Sequence, residues 1–268
     1  MPSPQFLTLN DGRKLAYHRH ASAVGDDRPW VVFLGGFRSD MTGTKAAFFE
    51  QESAALGVSF LRFDYTGHGQ SSGDFAAGSI GDWTQDAIDA IDHLTEGKLI
   101  LIGSSMGGWI MLNVALARLD RIAGLIGIAA APDFTEDLMY ASLTEAEKAA
   151  LKRDGRIEQP NDYSDEPYLI TQHLIEEGRQ HLRLREPMPI DVPVRLVHGM
   201  RDTDVPWCLS AKIMEQVASD DVELLLVKSG DHRFSEPHCL SLLSRVYRSL
   251  LGEFSASYQE TRGERKTP

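Results

Sequence analysis

The chain has 268 residues, 42% hydrophobic and 25% charged, proportions that exclude a disordered, collagenous or coiled-coil protein and suit one large folded unit. Its 27 basic against 39 acidic residues leave a net charge of −12, which repels a phosphate backbone. The short basic stretch Arg262, Arg265, Lys266 reads as a solvated end, so no nucleic-acid partner is expected.

In chain order, residues 6–17 around Asn10-Asp11-Gly12 read as an antiparallel hairpin at one edge of a sheet. Short apolar runs at 30–34, 58–63, 99–102, 125–129, 194–197 and 222–227 follow, each bounded by Gly, Pro or charge, as strands buried on both faces are. Helical patterns at 44–56, 83–94, 106–119, 207–217 and 236–251 separate them. This alternation predicts an α/β fold: a mostly parallel central sheet with right-handed crossovers and helices on both faces.

One interval breaks the alternation. About sixty residues separate the strand ending near Ala131 from the one starting at Val194, far more than a crossover helix needs. Thr144-x-x-Glu147 is a capping box that opens one helix there, and a second is expected over 168–184. The predicted organisation is a core of residues 1–132 and 191–252, a helical cap insertion at 133–190, and a charged C-terminal tail at 253–268. The longest apolar run, 122–131, is half a bilayer's span, so no stable membrane insertion is expected. Residues 1–14 hold no apolar stretch of signal type, and Cys208 and Cys239 cannot make a disulfide framework, which points to a cytoplasmic protein.

Gly103-Ser104-Ser105-Met106-Gly107 lies between a predicted strand and a predicted helix, the context of a nucleophile elbow. A serine on so sharp a turn needs small residues two before and two after it. Ser105 has Gly103 and Gly107 there, whereas Ser104 would have Ile102 and Met106. Neither a phosphate-binding loop nor a dinucleotide fingerprint fits these glycine spacings. A serine hydroxyl needs a base, and the base a carboxylate. Asp202, in His198-Gly-x-x-Asp202-x-x-Val205-Pro206, and His232, after 222–227, follow later strands in the order this topology requires. Asp204, Asp231, His198 and His238 are the rivals; spacing favours Asp202, and His198 reads as a structural hydrogen-bonding residue at a strand end. His18 and His20 share one face of an edge strand without a third ligand, and His68 sits in a turn-rich stretch read as structural. Backbone N–H groups of Phe37, after Gly35-Gly36, and of Met106 would form an oxyanion hole.

Together with the Asp64-x-x-Gly-x-Gly-x-Ser71 run, these motifs resemble the α/β-hydrolase superfamily over nearly the whole chain. Within it, 36–46, 103–109, 198–202 and 231–233 are similar to segments of the animal mitochondrial acyl-protein thioesterases that also cleave acyl glucuronides. Gly35 in place of a proline, Phe37 in place of a tyrosine, and the missing transit peptide are departures. The resemblance implies a bacterial-type relative that hydrolyses a small-molecule acyl ester or thioester, or an acylated protein, through Ser105, Asp202 and His232, with no metal or organic cofactor. A serine peptidase and a non-catalytic ligand receptor on the same fold are the competing readings. Leu138, Met139, Tyr140, Leu143, Tyr168, Leu169 and Leu174 either wall an acyl pocket or only pack the insertion onto the sheet.

Overall fold

Gly12, at φ +90°, closes the turn between strands β1 (Gln5–Thr8) and β2 (Lys14–His20), a backbone state that favours glycine. A computed structural model describes residues 3–22, 27–160 and 167–264; Arg265 and Lys266 lie outside the described residues. β2 pairs antiparallel with β4 (Phe60–Phe63), so β2 is an interior strand and not an edge, with His18 buried and His20 exposed. The parallel strands are β3 (Trp30–Leu34), β4, β5 (Leu99–Ser104), β6 (Ile122–Ile128), β9 (Val194–Gly199) and β10 (Val222–Val227). The order across the sheet is β1-β2-β4-β3-β5-β6-β9-β10.

Residues alternate between two cores along the interior parallel strands β3, β4, β5, β6 and β9. Trp30, Val32 and Leu34 face a cluster with α2 (Ile80–Leu94), α3 (Met106–Ala117) and α6 (Cys208–Gln216). Val31 and Phe33 face another with α1 (Thr44–Ala55) and α7 (Pro237–Glu264). Both faces are therefore dry, which is why the strands read as continuous apolar runs. Ser79 caps α2 by accepting from the Asp82 amide, starting that helix before the apolar periodicity does. The helix expected to end at 251 runs further: α7 continues to Glu264, with no proline to stop it beyond Leu251. No helix among the described residues is long and apolar enough to cross a membrane, and Cys208 and Cys239 are free thiols.

Between β6 and β9 the chain forms a π-helical turn (Thr135–Tyr140), α4 (Glu145–Asp154), a two-stranded antiparallel sheet of β7 (Arg156–Gln159) and β8 (Tyr168–Thr171), and α5 (Gln172–Gly178). The Thr144–Glu147 capping box is formed at the start of α4. The single helix expected over 168–184 is not: Tyr-Leu-Ile-Thr is β-prone and pairs with β7, and Thr171 accepts from the Leu174 amide, which starts the helix at Gln172. The insertion is thus mixed rather than purely helical. Its own small core is Leu143, Leu151, Ile170 and Ile175. Buried Asp133 closes its neck by accepting from the amides of Arg183 and Leu184 at 2.7 and 2.9 Å. Trp109 Nε1 donates to the His181 carbonyl at 2.8 Å, tying the insertion to α3.

The stretch after β4 is structural. Asp64 accepts from the Met41 and Gln70 amides at 2.6 and 2.9 Å, and a Cβ on Gly69 would lie 2.2 Å from its carboxylate. His68 is buried against the rings of Tyr65, Phe75 and Trp83 at centroid distances of 5.6, 5.0 and 5.1 Å. Burial pushes its pKa from 6.5 down to about 4. The unfolded chain takes up this proton near pH 6.5 and the folded chain only near 4, so His68 stabilises the fold above 6.5 and loses that contribution as pH falls between the two values. We expect the unfolding free energy to drop by about 3 kcal/mol over that range from this group. His68→Phe should flatten the slope in urea titrations at stepped pH, since Trp83 Nε1 still donates to the Thr66 carbonyl. An unchanged slope in the variant would refute the assignment.

Candidate active site

Ser105 sits between β5 and α3 at φ +55° and ψ −122°, a conformation that costs a non-glycine residue about 1–3 kcal/mol. Three backbone hydrogen bonds hold it there: its N–H donates to the Ile128 carbonyl at 3.0 Å, and its carbonyl accepts from Gly108 and Ala131 at 2.8 and 3.0 Å. Its flanks admit only glycine. A Cβ on Gly103 would lie 2.4 Å from the Gly107 carbonyl oxygen, and one on Gly107 would lie 2.0 Å from that of Leu34.

The loop leaving β3 runs against this turn. A Cβ on Gly36 would touch the Ser104 carbonyl oxygen and Ser105 Cβ, each at 3.4 Å, so the main chain of Gly36-Phe37 passes directly beside the serine. The N–H of Met106, at the first position of α3, has no intrahelical acceptor. The Phe37 ring packs against Phe75, Trp83, Phe134 and Tyr168, which anchors the loop between core and insertion.

Asp202 and His232 follow β9 and β10. His232 Nε2 lies 3.0 Å from Ser105 Oγ and its Nδ1 lies 2.7 Å from Asp202 Oδ2. A carboxylate can only accept, so Nδ1 carries the proton and Nε2 is left to accept from the serine hydroxyl. The Asp202 side chain is fully buried and accepts four hydrogen bonds: His232 Nδ1 and His198 Nε2 (3.1 Å) on Oδ2, and the amides of Asp204 and Val205 (2.9 and 2.8 Å) on Oδ1. Burial alone would raise its pKa; the hydrogen bonds from His198 and His232 and the histidine charge outweigh it and hold the carboxyl well below the usual range. Asp202, Asp204 and His232 also form a cluster with metal-like spacing, but the Asp202 oxygens are fully engaged in these hydrogen bonds.

The remaining candidates lie elsewhere in the local network. The Asp204 main chain supports Asp202, and Asp231 accepts from the Phe234 amide at 2.9 Å. His238 is the second residue of α7. His198 is the residue whose full role sequence reasoning missed. It is fully buried at the end of β9, with Nδ1 2.7 Å from Ser210 Oγ, and donates Nε2–H to Asp202 and to the Val205 carbonyl. The His-Gly-x-x-Asp spacing was the available signal, but it shows a pair only once the turn after β9 is known.

These groups open into a cavity of about 850 Å³. Phe134, Leu138, Met139, Tyr168 and Ile170 of the insertion form its apolar wall. The insertion's apolar residues therefore divide: Leu138, Met139 and Tyr168 line the cavity, whereas Leu143 and Leu174 are buried in packing.

Residues 25–165 match the family model described as serine aminopeptidase, S33. The mouse protein named palmitoyl-protein thioesterase ABHD10, mitochondrial, is 37% identical over 254 residues, 94% of this chain and 84% of that one. Among solved structures, a putative hydrolase from Agrobacterium vitis S4 aligns with a TM-score of 0.89 at 40% identity, covering 93% of this chain and 98% of its own. The mouse alpha/beta hydrolase domain-containing protein 10 aligns at 0.86 and 36% identity, covering 94% and 99%.

The contact of Gly107 on Leu34 is backbone on backbone and cannot be relieved by a rotamer change. Gly107→Ala should therefore cost at least about 3 kcal/mol in urea unfolding. Gly252→Ala, in open space on α7, should instead stabilise by up to about 1 kcal/mol. Equal effects of the two substitutions would contradict the steric account.

Proposed function

From the chain's membership of the serine aminopeptidase S33 family of α/β-hydrolases, we propose that this hydrolase cleaves acyl thioesters and esters through an acyl-enzyme on Ser105. The observation that carries the reading is the unbroken hydrogen-bond chain from Ser105 Oγ through both nitrogens of His232 to Asp202.

Ser105 Oγ attacks the acyl carbonyl carbon as His232 Nε2 takes the hydroxyl proton. The N–H groups of Phe37 and Met106 receive the resulting oxyanion. The tetrahedral species collapses, the bond to the thiol or alcohol breaks, and His232 returns its proton to that leaving group. Water then attacks the acyl-enzyme with His232 again as base, the ester to Ser105 breaks, and the serine regains its proton as the carboxylic acid departs. Asp202 keeps Nδ1 protonated and offsets the imidazolium charge throughout. The acyl chain occupies the cavity beneath Leu138, Met139 and Tyr168.

Thioesters come first because the mouse relative is named for them, and that name extends the substrate class to S-acylated proteins. Amide hydrolysis is the second reading and rests on the family's description.

Intact-mass analysis after a fluorophosphonate should give one adduct on the wild type and none on Ser105→Ala. A folded wild-type protein that takes no adduct would instead be a ligand receptor. In parallel, matched acyl thioesters, acyl esters and aminoacyl anilides should be turned over in that order of kcat/KM; a preference for the anilide would make it a peptidase. Asp202→Asn should lower kcat on the order of 10⁴-fold, as loss of the carboxylate does in other triads, and Asp204→Asn by less than about tenfold. The reverse ranking would move the acid to Asp204.

A further inference from the structure

Lys45, the second residue of α1, lines the same cavity as Ser105 and His232, although it belongs to neither the elbow nor the acid and histidine loops. Its Nζ donates to the main-chain carbonyl of Arg233, the residue that follows His232. The turn it reaches is under strain. Phe234 stands at φ +50°, its N–H donates to Asp231 Oδ1 at 2.9 Å, and its fully buried ring lies where a Cβ on Gly230 would come within 2.7 Å. On its other side, the Gly230 carbonyl accepts from the Arg201 amide at 2.9 Å, which ties the turn to the acid loop. Lys45 is the tether from across the cavity.

The groups that face the ammonium come from each neighbouring element. Asp231 and Arg233 lie in the histidine turn, Asp202 in the acid loop, and Cys239 in α7. Asp40, Asp204 and His232 line the same cavity.

We propose that Lys45 is a positioning residue for His232. Its bond to the Arg233 carbonyl keeps the imidazole within reach of Ser105. The proposal rests on Ser105, His232 and Asp202 acting as the catalytic set.

A titration signature follows. Burial pushes the Lys45 pKa down to about 8, with Asp231 drawing it partly back up. As pH rises through that value the ammonium becomes a neutral amine. The bond to the carbonyl then loses its charge assistance, and the positive charge beside the turn disappears. Activity should therefore fall on an alkaline limb centred near pH 8, a limb that belongs to the lysine and not to the histidine.

The test is the pH dependence of kcat and KM from pH 5 to 10 on a neutral short-chain ester, for the wild type, Lys45→Met and Lys45→Arg, with thermal unfolding of each. Lys45→Met should lose at least about tenfold in kcat with KM within about threefold. Its limb near pH 8 should vanish, and its melting temperature should stay close to that of the wild type because Lys45 is only half-buried. Lys45→Arg, which stays charged, should recover most of kcat and carry the alkaline limb beyond pH 9.

Wild-type kcat and an unmoved alkaline limb in Lys45→Met would overturn the proposal. So would a fall in kcat that tracks a lowered melting temperature with the alkaline limb in place, since that is a structural role. If Lys45→Met does not fold, Lys45→Arg decides alone, and an alkaline limb still near pH 8 overturns the idea. Loss of activity in Ser105→Ala beside wild-type kcat and an unmoved alkaline limb in Lys45→Met removes only this proposal. Activity that survives in Ser105→Ala removes the catalytic reading itself.

Discussion

Everything at the site depends on one close approach: the first turn of α3 lies with Gly107 against the carbonyl of Leu34 at the end of β3. No side chain fits between them, so the elbow and the β3 loop are built as a single piece. That contact brings the main chain of Gly36-Phe37 beside Ser105 and turns the serine outward at positive φ. The strain of that backbone is small beside the two cores that sandwich β3 and β5, and so it persists.

The spacing of the sheet sets the rest. β5 and β9 are separated by β6, a gap of roughly 10 Å at ordinary strand spacing. A carboxylate on β9 cannot touch a serine on β5 directly. An imidazole with a hydrogen bond at each end spans that distance, and β10 is the next strand along from which it can arrive. β6 contributes backbone, accepting from the Ser105 amide through Ile128. Asp202 is rigid because its four acceptor directions are all engaged, and His198 supplies one of them from the strand end that launches the loop. The same carboxylate therefore organises its own loop and orients the histidine.

Much of this is legible in the chain because its signals are local. The Gly103–Gly107 spacing encodes a steric demand, the apolar runs encode two-sided burial, and Thr144-x-x-Glu147 encodes a cap. Strand and helix ends are less legible where a side chain decides them: Ser79 starts α2 at Ile80, ahead of the apolar stripe. The segment 168–184 reads as helix because apolar residues recur there, yet Tyr168–Thr171 finds a strand partner in Arg156–Gln159 that no periodicity reveals. The links from His198 to Asp202 and from Lys45 to Arg233 are products of tertiary placement. The latter joins residues 188 positions apart, and no motif spans such a distance.

The neck at Asp133 has a consequence for how the cavity wall can change. One buried carboxylate joins positions 50 apart by accepting from consecutive amides, so the insertion leaves and returns to the core at nearly a single point. The entropic cost of such a closed loop grows only with the logarithm of its length, about 0.6 kcal/mol per doubling. Residues within it can therefore be added or removed at little entropic cost, provided Phe134 and Tyr168 keep their packing on the Phe37 ring. Evolution can retailor what the enzyme accepts while sparing how it reacts, and a designer could graft a foreign insertion across the same pair of amides if it kept an aromatic wall against Phe37.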